Sequence, residues 1–133
     1  MNINELAKEV HENAVKHGWW EKPPTLPEAL CLIHAELSEA LEEYRDGNPL
    51  VYGTCALSPE DCEHSAECDL LKNPELLKSV GSCKPEGIAV ELADVILRTL
   101  DLMAALGVDV DAVVMAKHRY NLGREYRHGG KAI

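Results

Sequence analysis

Apolar positions recur at spacings of three and four through most of this chain, the period of an amphipathic helix. Leu6, Val10 and Ala14 share one side of the first such segment, which predicts a helix from about residue 4 to 16 that stops before Gly18. Thr25-Leu26-Pro27-Glu28 has the form of a capping box with proline in the first turn, so a second helix should begin there. Leu30, Ile33, Leu37, Ala40, Leu41 and Tyr44 carry its apolar stripe towards Arg45, before Gly47. Residues 47 to 85 break the pattern with Pro49, Pro59, Pro74 and Pro85 and hold four of the five cysteines. Only Pro74 to Val80 reads as helical there, so the segment is expected to be an insertion between bundle helices. A third helix is predicted from near Pro85 to Gly107 and a fourth from Asp109 or Asp111 to Asn121, with a tail too polar and glycine-rich to extend it. No alternating pattern competes, and the expected fold class is all-α, in one domain over residues 1–133.

The third helix is the unusual one. At 100° per residue, Val90, Leu92, Val95, Ile96, Leu97, Leu100, Leu102 and Met103 surround nearly the whole circumference, while Glu91, Asp94, Arg98 and Asp101 are confined to a wedge about 80° wide. A helix apolar almost all round belongs in an interior or a subunit interface. Carboxylates there need partners, because burying unpaired charge costs several kcal/mol per ion. Arg98 can neutralise one acid, which leaves a deficit that a divalent cation would fill. The second helix carries a matching pair, Glu36-x-x-Glu39. Residues three apart share a helix face, so Glu36, Glu39, Glu91 and Asp94 are the candidate metal ligands and catalytic carboxylates. An all-oxygen set of this kind suits Mg²⁺, with Mn²⁺ an alternative. Glu42 and Glu43 are expected to be solvated.

Charge narrows the partners. Thirteen Lys and Arg against 23 Asp and Glu give a net charge of -10, which argues against general affinity for DNA, RNA or anionic membrane. Yet Lys117, Arg119, Arg124, Arg127 and Lys131 all lie in the last 17 positions, where Glu125 is the only acid. Lys117 and Asn121 are four apart on one helical face. With Arg98, Arg124 and Arg127 they are candidate phosphate-binding groups; the alternative is a solvated basic helix end. With no signal-type apolar stretch at the amino terminus and no run of 18 apolar residues, a soluble, cytoplasmic protein is expected.

Trp19 and Trp20 follow Gly18 directly. A flat indole there either stacks on a nucleobase, worth about 1–3 kcal/mol, or closes the bundle end as core. Cys55, Cys62, Cys68 and Cys83, with His64, lack any Cys-x-x-Cys knuckle, so they read first as thiols, with a structural Zn²⁺ as the alternative. Cys31, within the second helix, is expected to be a small packing residue.

The segments HGWW (17 to 20), IHAELSEALEEYR (33 to 45), KPEGIAVELADVILRTLDLMAALGVD (84 to 109) and KHRYNLGREYRHGGK (117 to 131) together resemble the MazG-like, all-α nucleoside triphosphate pyrophosphohydrolases. The resemblance covers most of the chain outside residues 46 to 83. It implies Mg²⁺ held by Glu36, Glu39, Glu91 and Asp94, and phosphates near Lys117 and Asn121. It also implies an antiparallel four-helix bundle completed as a homodimer or homotetramer. The implied reaction is cleavage of a (deoxy)nucleoside triphosphate to monophosphate and pyrophosphate, in clearance of unwanted nucleotides. The long cysteine-bearing spacer departs from the family pattern. From a different class, a non-catalytic helical module binding a metal, a nucleotide or a partner protein is the rival reading.

Overall fold

A computed structural model describes residues 1–55 and 83–132. Four helices of 13 residues or more dominate the described residues: α1 (Ile3–Lys16), α2 (Leu26–Arg45), α3 (Ile88–Ala105) and α4 (Val110–Leu122). A single turn, α5 (Arg127–Gly130), follows them. Between α2 and α3 stand two short strands, β1 (Tyr52–Cys55) and β2 (Cys83–Glu86). The fold is mostly helical, as the periodicity predicts, and the hairpin is the departure from it. The short helix expected at Pro74 to Val80 lies outside the described residues.

Two compact units form, one of Met1–Pro23 with Thr99–Ile133 and the other of Pro24–Arg98. In the first, Ala7, Leu100 and Val110 are buried together, with Ile3, Leu6, Met103 and Ala104 packed against them. Small Ala7 on α1 permits the close approach of α4. Asn2 caps α1: its side chain accepts from the Glu5 backbone N–H while Glu5 accepts from that of Asn2, at 2.9 and 2.8 Å. Asp109 does the same for α4, accepting from the Ala112 N–H at 3.0 Å. Asn4 ties the two helix starts together, donating to Asp109 Oδ1 and accepting from the Asp111 N–H, both at 3.0 Å. These caps satisfy amides that have no partner inside their own helix.

In the second unit α2 begins at the predicted capping box, Thr25 with Glu28. Ala29, Glu36, Ala40 and Val51 are its buried side chains among the described residues. β1 and β2 pair antiparallel in the register Tyr52 with Glu86, Gly53 with Pro85, Thr54 with Lys84 and Cys55 with Cys83. Gly87 then turns the chain into α3 at φ +114°, and a Cβ there would lie 2.5 Å from the Leu50 carbonyl oxygen. The Ala89 N–H donates to that same oxygen at 3.0 Å, and the Gly87 carbonyl accepts from Val90 and Glu91 at 2.9 and 3.0 Å. The start of α3 is thereby fixed against the residues leading into β1. Several positions of the predicted apolar stripes stay uncovered within one chain, among them Leu37, Leu41 and Tyr44 on α2 and Leu92 and Ile96 on α3. Among the described residues no helix is long and apolar enough to cross a membrane.

Candidate metal centre

Glu36 comes from the middle of α2, and Glu91 and Asp94 from the first two turns of α3. One carboxylate oxygen from each lies within 4.8 Å of the others. Two oxygens on opposite sides of a Mg²⁺ ion are about 4.2 Å apart, so the three groups stand close to coordination size with a donor set a hard cation prefers. Glu36 is buried at 6% exposure, and Glu91 and Asp94 are half-buried.

Arg98, expected to neutralise one acid of the wedge, makes its ion pair across to α2. The Arg98 Nε–H donates to Glu36 Oε1, so the guanidinium spends its hydrogen bond on the buried acid of α2. Its field still favours ionised Asp94, but burial first and then the charge of Glu36 hold that carboxyl above its ordinary range. Glu91 is raised as well, chiefly by burial, then by the charges of Glu39, Asp94, Glu36 and Glu43. Crowded carboxylates that resist ionisation are the electrostatic signature of a place that lacks positive charge. Glu39 is exposed and stands outside the three-residue cluster, near enough for its charge to act on Glu91.

Lys84 and Glu43 were not assigned from the sequence. The Lys84 ammonium lies 3.1 Å from Glu86 Oε1, and its pKa is raised by Glu86 first and also by Glu91 and Asp94. Glu43, expected to be solvated, is half-buried and accepts from the Tyr52 hydroxyl at 3.0 and 3.1 Å and from Asn48 Nδ2 at 2.9 Å. Partial burial and Glu43 together push the Tyr52 hydroxyl up to about 12. Glu42 is exposed and bonded to Arg45 at 2.8 Å, as expected. Hairpin formation brings Tyr52 to Glu43, and that pairing has no local sequence signal.

The remaining candidates belong to the other unit. Trp19 is 69% exposed, whereas Trp20 turns inward and donates through Nε1 to both oxygens of Asp101, at 3.0 and 3.2 Å. His11 meets the same carboxylate at 2.7 Å through Nδ1, and its ring sits edge-on to Trp20 with centroids 5.2 Å apart. Asp101 was visible as the fourth member of the polar wedge; His11 gave no sign. Lys117 and Arg124 lie over the Tyr120 ring at 4.9 and 5.8 Å, and Arg127 over Tyr126 at 5.7 Å. These contacts keep the basic side chains against aromatic faces. Asn121 is exposed. Arg119, Tyr120, Gly123, Arg124, Glu125 and Gly129 line an open hollow of about 510 Å³.

Cys62, Cys68 and His64 lie outside the described residues. Cys55 and Cys83 are backbone partners in the strand register. Cys31, expected to pack, is exposed, because the face of α2 that carries it is uncovered. Comparison with known proteins gave no matching family model, curated protein or solved structure.

Proposed function

We propose that this chain is a Mg²⁺-dependent nucleotide pyrophosphohydrolase of the MazG-like type, cleaving (deoxy)nucleoside triphosphates to monophosphate and pyrophosphate. The observation that carries this reading is the convergence of Glu36, Glu91 and Asp94 from two helices, with two of the three carboxyls raised and one guanidinium committed to the third. Glu36, Glu91 and Asp94 would hold the cation, and the resemblance adds Glu39 to the set. Bound Mg²⁺ supplies charge neutralisation at phosphate oxygens and acidifies water.

A carboxylate of the set orients the attacking water towards the α-phosphorus and receives its proton. A phosphorus–oxygen bond forms to water as the bond to the bridging oxygen breaks, and pyrophosphate leaves carrying the negative charge. Arg98 holds Glu36 in place through its Nε–H hydrogen bond. Phosphate contact by Lys117, Asn121, Arg124 and Arg127, and base contact by Trp19 or Trp20, are the parts of the proposal that rest on the resemblance. A homodimer or homotetramer follows from the same source, and the uncovered Leu41 and Ile96 agree with it.

A panel of ribo- and deoxyribonucleoside triphosphates with Mg²⁺, assayed for pyrophosphate with wild type and Glu39→Ala, tests the reading. Turnover of at least one triphosphate, reduced by the substitution, is expected; no turnover of any member would remove the enzyme. The uncovered apolar faces favour one second reading, a non-catalytic helical module that binds a partner. Retained Mn²⁺ binding without turnover would select it.

A further inference from the structure

The acids of the site outnumber its cations. Glu36, Glu39, Glu91 and Asp94 oppose one guanidinium, and a single divalent ion still leaves the set negative before any phosphate arrives. Beyond the tail residues that the resemblance assigns, positive charge carried beside the acids themselves would favour a polyphosphate entering there. Within Pro24–Arg98 the described basic residues are Arg45, Lys84 and Arg98. Arg45 is bonded to Glu42 on exposed surface, with both side chains more than half open to solvent. Arg98 donates through Nε to Glu36 and already belongs to the carboxylate set it neutralises. Lys84 is placed differently.

β2 carries Lys84 opposite Thr54, and Gly87 turns β2 directly into the first turn of α3, where Glu91 sits. The strand carrying the ammonium thus runs directly into the acidic first turns of α3, and the charges of Glu91 and Asp94 act on it. Its side chain is 77% exposed and its ion pair is with Glu86 at 3.1 Å. The Glu86 side chain is 23% exposed but the lysine end of the pair stays open to solvent, and a four-carbon stem lets the ammonium move without shifting the strand. A residue tied at the backbone and loosely held at the charge can swing to an incoming anion at small cost.

We propose that Lys84 is a phosphate-binding residue of the acidic site: its ammonium leaves Glu86 and donates to oxygens of the pyrophosphate portion of the substrate once the cation is bound. This deepens the pyrophosphohydrolase reading and rests on it. It also assigns a task to the hairpin, which the helical pattern of the sequence did not anticipate. The hairpin brings a lysine to carboxylates that the helices alone leave uncompensated.

The test is calorimetric titration of inorganic pyrophosphate, in the presence of Mg²⁺, into wild type, Lys84→Ala, Lys84→Arg and Glu86→Gln, with Mn²⁺ titrated separately without pyrophosphate. Loss of one charge-assisted hydrogen bond should weaken pyrophosphate about 10-fold or more in Lys84→Ala. Lys84→Arg should retain most of the affinity, and Glu86→Gln should bind more tightly because the ammonium is released. Mn²⁺ should bind Lys84→Ala no more weakly than wild type, since a neighbouring cation has gone. Unchanged pyrophosphate affinity in Lys84→Ala, an equal loss of Mn²⁺ affinity, or no binding of pyrophosphate by wild type would each overturn the role. If wild type turns over triphosphates and Lys84→Ala binds pyrophosphate normally, Lys84 alone is misassigned. If Lys84-dependent pyrophosphate binding is found and no triphosphate is cleaved, the anion site stands and the reaction falls.

Discussion

Glu91 carries two opposing obligations. In the metal-free protein its charge is unwelcome, since burial and the neighbouring acids raise its pKa; under the proposed function the same charge would serve as a ligand once a cation binds. Glu91→Gln should therefore raise the melting temperature of the metal-free protein while weakening Mn²⁺ on the order of 100-fold. Thermal melts in chelator and Mn²⁺ titration by electron paramagnetic resonance read the two effects separately. A fall in both would mean that Glu91 is structural. At this scale Glu91 and Asp94 are legible, because a polar wedge on an apolar helix is a strong local signal. Their partners are not. Arg98 sits in the same wedge as Asp94 yet bonds Glu36 on another helix, and Asp101 in that wedge bonds His11 and Trp20. Long-range pairing of this kind is decided by packing, which periodicity does not encode.

The helices were legible because their ends are chemically marked. Thr25 with Glu28 opens α2, and Asp109 opens α4 where the sequence offered it as one of two starts. The hairpin was not legible, since β1 and β2 are four residues each, are separated by residues 56–82, and β2 contains Pro85. A short strand with proline reads as loop until its partner is known. Gly87 is the hinge of that region. Gly87→Ala would force a Cβ towards the Leu50 carbonyl at a positive φ, and about 1–3 kcal/mol of strain is expected. Because the Gly87 carbonyl receives the Glu91 N–H, Mn²⁺ affinity should fall together with the melting temperature; a normal affinity would show that the turn does not position the site. At α4, the Ala112 N–H and then Asn4 hold the Asp109 carboxyl below its ordinary range. The lowered folded pKa means that this cap stabilises above about pH 4 and is lost as pH falls through it. Asp109→Ala should melt lower than wild type near neutrality, with the gap closing below that pH; a pH-independent gap would remove the ionised cap.

Across the whole molecule, a net charge of -10 coexists with apolar side chains left open on α2 and α3. Leu41 and Ile96 are 56% and 57% exposed within one chain. A helix apolar on most sides was expected to need an interior or an interface, and among the described residues its cover within the chain is partial. Homo-oligomerisation is the proposed remedy. Ile96→Glu should shift the sedimentation coefficient towards that of a monomer, whereas a monomeric wild type would remove the interface. The helices and the mostly helical fold class could be read from the chain because they are repeated local patterns. The division into two units, inside α3 between Arg98 and Thr99, could not, since the helical pattern runs through it without a break.

The claim on which the rest depends is that the carboxylate cluster directs water to the α-phosphorus of a nucleoside triphosphate. Hydrolysis in ¹⁸O-enriched water with Mg²⁺, followed by mass spectrometry of the products, measures it directly. The expected result is one heavy oxygen in the nucleoside monophosphate, unlabelled pyrophosphate, and loss of both products in Glu91→Gln or excess chelator. Label in pyrophosphate, release of orthophosphate as the first product, or no product from any triphosphate would contradict it.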